Sequence, residues 1–431
     1  MADTQAQPRE GLADIEVRSI DYIPASERHG RVRDQFTLWF AATMNIFNIV
    51  LGGVAVFLGL DFLWACIAIV LGTVIGLLLV GFHAIQGPKL GVPQMIQSRG
   101  QFGFYGAVIP FVFSIVLDFG FLAAQLVIQA DAMNLLIGSI SIPGWIALLT
   151  IPVFFLAIWG YKWIHHWQRV LTVVLGITFV IVFIQALSYG GLNGAPASTH
   201  APSFALFMGA TGLFVIDMIS WAPYVSDYSR YLPENVSKSG TFWAVFLGNA
   251  INAYTGMLAL ASILSCFMEV RRSQLMRIVG CVLMILAGMI CALVGYKDFV
   301  NNLSNFLDVL LFVFIPWSAI NLADYYLIKH GDYDVRSFFT PDGEYGGFLW
   351  RGLIPYALAI AAEIPFIDQT FYTGPLVKPL GGVDISWVVG GVAGFVFYMI
   401  AMAIPINGKT ALGRPKPDPK VEPAPEVKIA S

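Results

Sequence analysis

The sequence predicts an all-α polytopic membrane protein with about 11 transmembrane spans, and three observations carry that prediction. Of the 431 residues, 57% are hydrophobic and only 12% are charged, where a soluble domain carries about a quarter. Mean hydropathy is +0.73. Uncharged apolar runs of roughly 20 residues recur along the whole chain, each long enough to cross a bilayer. Spans pack on one another rather than forming separate cores, so residues 36–405 read as one transmembrane domain. Residues 1–35 are a polar tail without a signal-peptide core. Residues 406–431 are a second tail, Pro-rich and charged.

The spans read, in order, as 36–60, 62–84, 104–137, 144–161, 168–190, 203–224, 240–268, 275–295, 299–328, 351–368 and 385–405. Lys and Arg in the short loops orient them. With the Arg-rich N-terminal tail in the cytoplasm, "GPKLGVPQMIQSRG" (87–100), "YKWIHHWQR" (161–169) and "SDYSRYLPENVSK" (226–238) are cytoplasmic too. The intervening turns of the first six spans carry no Lys or Arg. Counting back from a cytoplasmic C-terminal tail places "KHGDYDVR" (329–336) and "EVRRSQLMR" (269–277) inside. The two counts collide over residues 239–272. That segment starts inside and ends inside, yet holds one helix-length run, too short for two crossings.

Polar groups at membrane depth mark the candidate site, because they are costly unless they face a cavity or a partner. In span three, Asp118, Phe121 and Gln125 are spaced i, i+3, i+7 and share one helix face. An acid, a ring and an amide on one stripe suit a flat polar heterocycle; a helix–helix hydrogen-bond network is the alternative. Span one has Asn45 and Asn48 before Gly52-Gly53, and span six has Gly209, Gly212, Asp217 and Pro223. Such residues allow a helix to unwind around a substrate or cation, or else to pack closely on a neighbour. Asp308 reads as a proton carrier or a structural pairing. His83, His165 and His166 read as interfacial, and Trp39, Trp145, Trp159, Trp163 and Trp167 as belt anchors. Cys66, Cys266, Cys281 and Cys291 lie in apolar runs and read as small buried hydrophobes. No HExxH, P-loop or GxSxG stands in a credible context, so neither an enzyme nor a cofactor is expected.

The stretches "RSIDYIPASERHGRVRDQFTLWF" (18–40), "GPKLGVPQMIQSRGQFGFYG" (87–106), "VSDYSRYLP" (225–233) and "DYYLIKHGDYDV" (324–335) resemble the nucleobase–cation symporter family, in its purine–cytosine permease branch. The resemblance runs through nearly the whole chain. It implies a LeuT-like fold, five-plus-five helices in inverted repeats followed by two extra C-terminal helices. It also implies import of a nucleobase or related small heterocycle across the plasma (inner) membrane, in symport with sodium or a proton. A small-molecule substrate and the lipid bilayer are then the partners, with no nucleic acid. The resemblance points to Phe121, Gln125, Phe214, Trp221 and Asn252 for the substrate and to Asn249 and Thr255 for the cation; the polar residues at membrane depth add Asn45, Asn48 and Asp217 to the substrate set and Asp118 to the cation set. Phe121 stands where relatives often place a Trp, and the stacking position of span six falls near Asp217 or Met218, neither aromatic. Phe214 or Trp221 is the replacement ring. "GTFWAVFLGN" resembles the start of the family's span seven and "NAINAYTGMLALASILSCF" its span eight, with roughly fifty residues of the relatives missing between them. One crossing is therefore expected to be absent, as the charge count already indicates. The 87–106 loop reads as a cytoplasmic gate element or a plain connector.

Overall fold

The computed structural model describes residues 20–43, 46–57, 59–159, 174, 177, 181, 203–247 and 274–405. The first predicted span contains α1 (Val32–Thr43) and α2 (Ile46–Phe57). Next comes α3 (Phe62–Ala84), started by Asp61, whose side chain accepts from the Trp64 N–H at 2.9 Å. Three short helices follow on the connection: α4 (Gln86–Leu90), α5 (Gln94–Gln97) and α6 (Arg99–Phe102). The long α7 (Val108–Ile137) ends on left-handed Gly138, and α8 (Ile142–Trp159) runs back beside it. Span six is α9 (Phe204–Ile219) and α10 (Val225–Ser229), and α11 (Lys238–Phe246) opens span seven. The remaining long helices are α12 (Gln274–Gly295), α13 (Phe299–Ala323), α14 (Trp350–Glu363) and α15 (Ser386–Ala403). A π-type turn, Asp324–Ile328, prolongs α13. The predicted segment 240–268 falls mostly outside the described residues, as does most of 168–190. Among the described residues, four helices are long and apolar enough to cross a membrane by length and composition.

Two packing groups face each other. In one, α3 packs along α9 and α11, and α11 also touches α1. Gly72 and Gly76 make the α3–α9 approach possible: a Cβ at either would fall within 2.8 Å of the α9 backbone. In the other, α7, α8 and α12 pack on one another. Helix α13 bridges the groups through α7 and α9, and α14 and α15 lie against it. The outward face of α3 carries Leu63, Ile67, Val70, Val74 and Leu78, all exposed. A helix apolar on both faces is what a bilayer requires of a span.

Several expectations are corrected. Gly209 and Gly212 stay inside α9; the interruption comes at residues 220–224, where Pro223 lacks the N–H of a helical bond. Nor does Gly53 or Gly209 serve close packing, since a Cβ at either would meet nothing within 4 Å. Trp39 is no belt anchor. It is fully buried, donates to Gln35 Oε1 at 3.1 Å and packs edge-on to Tyr228. Trp145 is buried as well. Cys291 is exposed and Cys66 half-buried, both free, so neither is a fully buried hydrophobe. Asp308 faces Gln369 of the small hairpin Asp368–Gln369 and Tyr372–Thr373, a neighbour that a structural pairing would use. His165, His166, Trp163, Trp167 and Cys266 lie outside the described residues.

Candidate functional site

The connection from α3 to α7 folds back into the protein. Most of residues 83–104 are buried, although the stretch contains eight polar or charged side chains. Their hydrogen bonds explain how. His83, expected at an interface, is fully buried and stacks on Trp317 at 4.9 Å and 8°. Gln94 donates to His83 Nδ1 at 3.2 Å, which leaves Nε2 to donate to Ser318 Oγ at 2.8 Å. From Gln94 the bonds run on through Gln86 (3.3 Å) and Asn321 (2.9 Å) to Gln101 (3.1 Å). Gln101 then donates to Asp324 Oδ2 at 2.8 Å. Tyr333 and Tyr398 complete the Asp324 carboxyl at 2.6 and 2.8 Å. Burial and the neighbouring Asp324 push the Tyr333 hydroxyl well above its ordinary pKa, so it remains a donor. The D-Y-S-R element joins in: Ser226 donates to Gln94 Oε1 at 2.5 Å, and Asp227 accepts the Gln94 N–H at 2.9 Å. Arg28 from the N-terminal segment reaches the Pro88 carbonyl at 2.5 Å. Gly103 (φ +84°) turns the chain where a Cβ would lie 2.7 Å from the Leu349 nitrogen. The connection and its neighbours thus form one cross-linked polar plug between α3, α10 and α13.

The centre differs. A cavity of about 330 Å³ lies between α2, α3, α9 and the end of α11. Its polar lining is Asn48, Thr73 and Asp217; Phe214 supplies a ring, and Leu51, Leu77 and Met218 are among the apolar walls. Phe214 and Asp217 stand one turn apart on α9 and face the same space. Asp217 is only 4% exposed, and its carboxyl makes no hydrogen bond to any described residue. That is an expensive arrangement for an acid, because a buried charge without a partner costs several kcal/mol.

The structure divides the predicted site residues. Asn48, Phe214 and Asp217 come together around the cavity. Phe121 and Trp221 meet elsewhere, ring centroids 6.3 Å apart, in an aromatic cluster with Phe47 (5.6 Å from Phe121) and Phe306 (5.7 Å). Gln125 is half-buried on the same helix. Asp118 faces Tyr224, a hydrogen-bond neighbour whose hydroxyl also donates to the Ser114 carbonyl at 2.7 Å. Asn45, Asn249, Asn252 and Thr255 lie outside the described residues. Sequence reasoning missed Thr73 and Phe47. The one signal for Thr73 is a hydroxyl between Gly72 and Gly76 in an otherwise apolar run.

A family profile described as "Permease for cytosine/purines, uracil, thiamine, allantoin" matches residues 22–271 and 247–390. The chain belongs to this permease family. It is 32% identical to YxlA of Bacillus subtilis, named as a purine-cytosine permease, over 90% of this chain and 96% of the relative. The purine-cytosine permease fcyB of Emericella nidulans is 22% identical over 87% and 86%. Mhp1, a nucleobase-cation-symport-1 family transporter solved in a closed conformation with bromovinylhydantoin bound, superposes with a TM-score of 0.63 at 18% identity, covering 91% of this chain and 95% of Mhp1. The fold is therefore the LeuT-like inverted-repeat transporter fold, and the protein is an integral membrane permease rather than an enzyme. Two further facts concern the length of the matches. The two profile matches share residues 247–271. The alignment to YxlA runs over 447 positions, whereas 90% of 431 residues is about 388.

Proposed function

We propose that the protein is a secondary active transporter that imports a nucleobase or related small heterocycle in symport with a cation, sodium or proton, by alternating access. It would sit in the plasma (inner) membrane with its N-terminus in the cytoplasm. The observation that carries the reading is the Asp217 carboxyl, without a hydrogen-bond partner among the described residues, in a cavity also lined by Asn48 and the Phe214 ring. A ring face and a few convergent polar groups in an apolar cavity are what a small heterocycle needs. Gln125, Phe121, Trp221, Asn45 and Asn252 are further proposed substrate contacts. Asp118, Asn249 and Thr255 are the proposed cation-coupling residues. The cation would stabilise the substrate-ready state, so the two ligands would favour each other's binding. Uptake of radiolabelled cytosine, adenine, allantoin and hydroxymethylpyrimidine by intact cells tests the reading. Saturable accumulation of at least one is expected. Replacing sodium by choline, and separately collapsing the proton gradient, identifies the cation.

A second reading is a family member that binds ligand without completing transport. The alignment shortfall against YxlA and the overlapping profile matches favour it. Ligand binding by purified protein without accumulation in cells would establish it. Accessibility of cysteines placed at Lys238 and Ser273 reads the chain's path between them: same-side labelling supports a re-entrant segment, and opposite-side labelling one straight span.

A further inference from the structure

We infer that Asp217 selects heterocycles that carry an amino group beside a basic ring nitrogen over their oxo counterparts. The inference rests on the cavity being the substrate site. Among the described residues lining the cavity there is no Lys, Arg or His, and the other polar groups are the neutral side chains of Asn48 and Thr73. Asn48 and Thr73 could donate to the carboxyl, but no described residue hydrogen-bonds or neutralises it, which leaves a proton or a pair of donors for the ligand to supply. At this position the family resemblance calls for a stacking ring, which here is supplied from Phe214, one turn earlier on the same helix. The carboxyl thus adds an edge contact to a site that keeps its ring.

The chemistry of that edge discriminates. A carboxyl group and an amino-plus-ring-nitrogen edge form two parallel hydrogen bonds wherever the shared proton sits. With the proton on the acid, O–H donates to the ring nitrogen and the amino group donates to the carbonyl oxygen. With the proton moved to the ring nitrogen, both ligand groups donate to the carboxylate, and the bonds become charge-assisted, roughly twice as strong as neutral ones. A lactam edge, a ring N–H beside a carbonyl, cannot follow. Facing a carboxylate, its carbonyl oxygen meets an acceptor; facing the neutral acid, it makes two bonds of ordinary strength only. The bound ligand then arrives with the proton or positive charge that the cavity lacks.

Equilibrium binding of two near-isosteric pairs to the purified full-length protein tests this: cytosine against uracil, and adenine against hypoxanthine. The amino member of at least one pair should bind at least about tenfold more tightly than its oxo partner. Asp217→Asn should bring that ratio within about threefold, because an amide cannot take up the proton. Asp217→Glu, which keeps the carboxyl, should preserve the sign of the preference. Equal binding of oxo and amino members by the wild-type protein overturns the inference while leaving the site reading in place, as does an unchanged ratio in Asp217→Asn. The wild-type ratios decide the matter even where a variant fails to fold. If none of the four ligands binds, this inference falls, and the transporter reading then rests on the uptake of allantoin and hydroxymethylpyrimidine.

Discussion

Asp324 and Asp217 are both buried acids, 2% and 4% exposed, and they are handled in opposite ways. Asp324 receives three donated hydrogen bonds, from Gln101, Tyr333 and Tyr398. It closes a chain that begins at His83 and ties α3, its following connection, α10 and α13 together. Asp217 receives none from the described residues and opens onto a cavity. A polar group saturated by fixed partners spends its bonding capacity on the fold. One left open, at a cost, is held for something that comes and goes. The plug is therefore saturated by fixed partners, whereas the cavity keeps an acid that no described residue satisfies.

The sharpest way to break this contrast is to exchange the fates of the two acids. Asp324→Ala strands three donors in a buried plug and should cost about 3 kcal/mol or more. Thermal unfolding in detergent should show a large loss of stability, and a change within about 1 kcal/mol would mean the plug is not structural. Asp217→Asn should leave the unfolding midpoint nearly unchanged while lowering cytosine uptake at least about tenfold at equal protein level. Gln125→Ala comes next: if its free amide meets the substrate, affinity should fall by roughly 1–3 kcal/mol. Unchanged affinity would remove it from the site. The smallest expected effect belongs to Asp118→Asn. It should shift the cation or pH dependence of uptake; a wild-type profile would leave Asp118 with the Tyr224 pairing alone.

Much of the fold was legible because periodicity and charge act locally. Spans 62–84 and 299–328 coincide with α3 and with α13 plus its π-type turn. The purpose of His83 was not legible. At the end of a span it reads as an interfacial residue, and only a partner 235 positions away, Ser318, buries and satisfies it. The stripe Asp118–Phe121–Gln125 was read correctly as one face but not as two environments. Its members part because Tyr224 and Phe306, distant in sequence, claim Asp118 and Phe121 separately. Of the residues that could open span six, Gly209, Gly212, Asp217 and Pro223, the helix runs through the first three and is interrupted at residues 220–224 around Pro223. Asp217 was the clearest signal of all, an acid in an apolar run, and the structure gives it the cavity that such a residue requires.

Reconstitution of the purified protein into proteoliposomes measures the central claim directly. With an inward sodium or proton gradient imposed, radiolabelled cytosine should accumulate above its equilibrium level, stop when the gradient is collapsed, and fail to accumulate through Asp217→Asn protein. Saturable cytosine binding without gradient-driven accumulation, or accumulation indifferent to Asp217, would contradict the account.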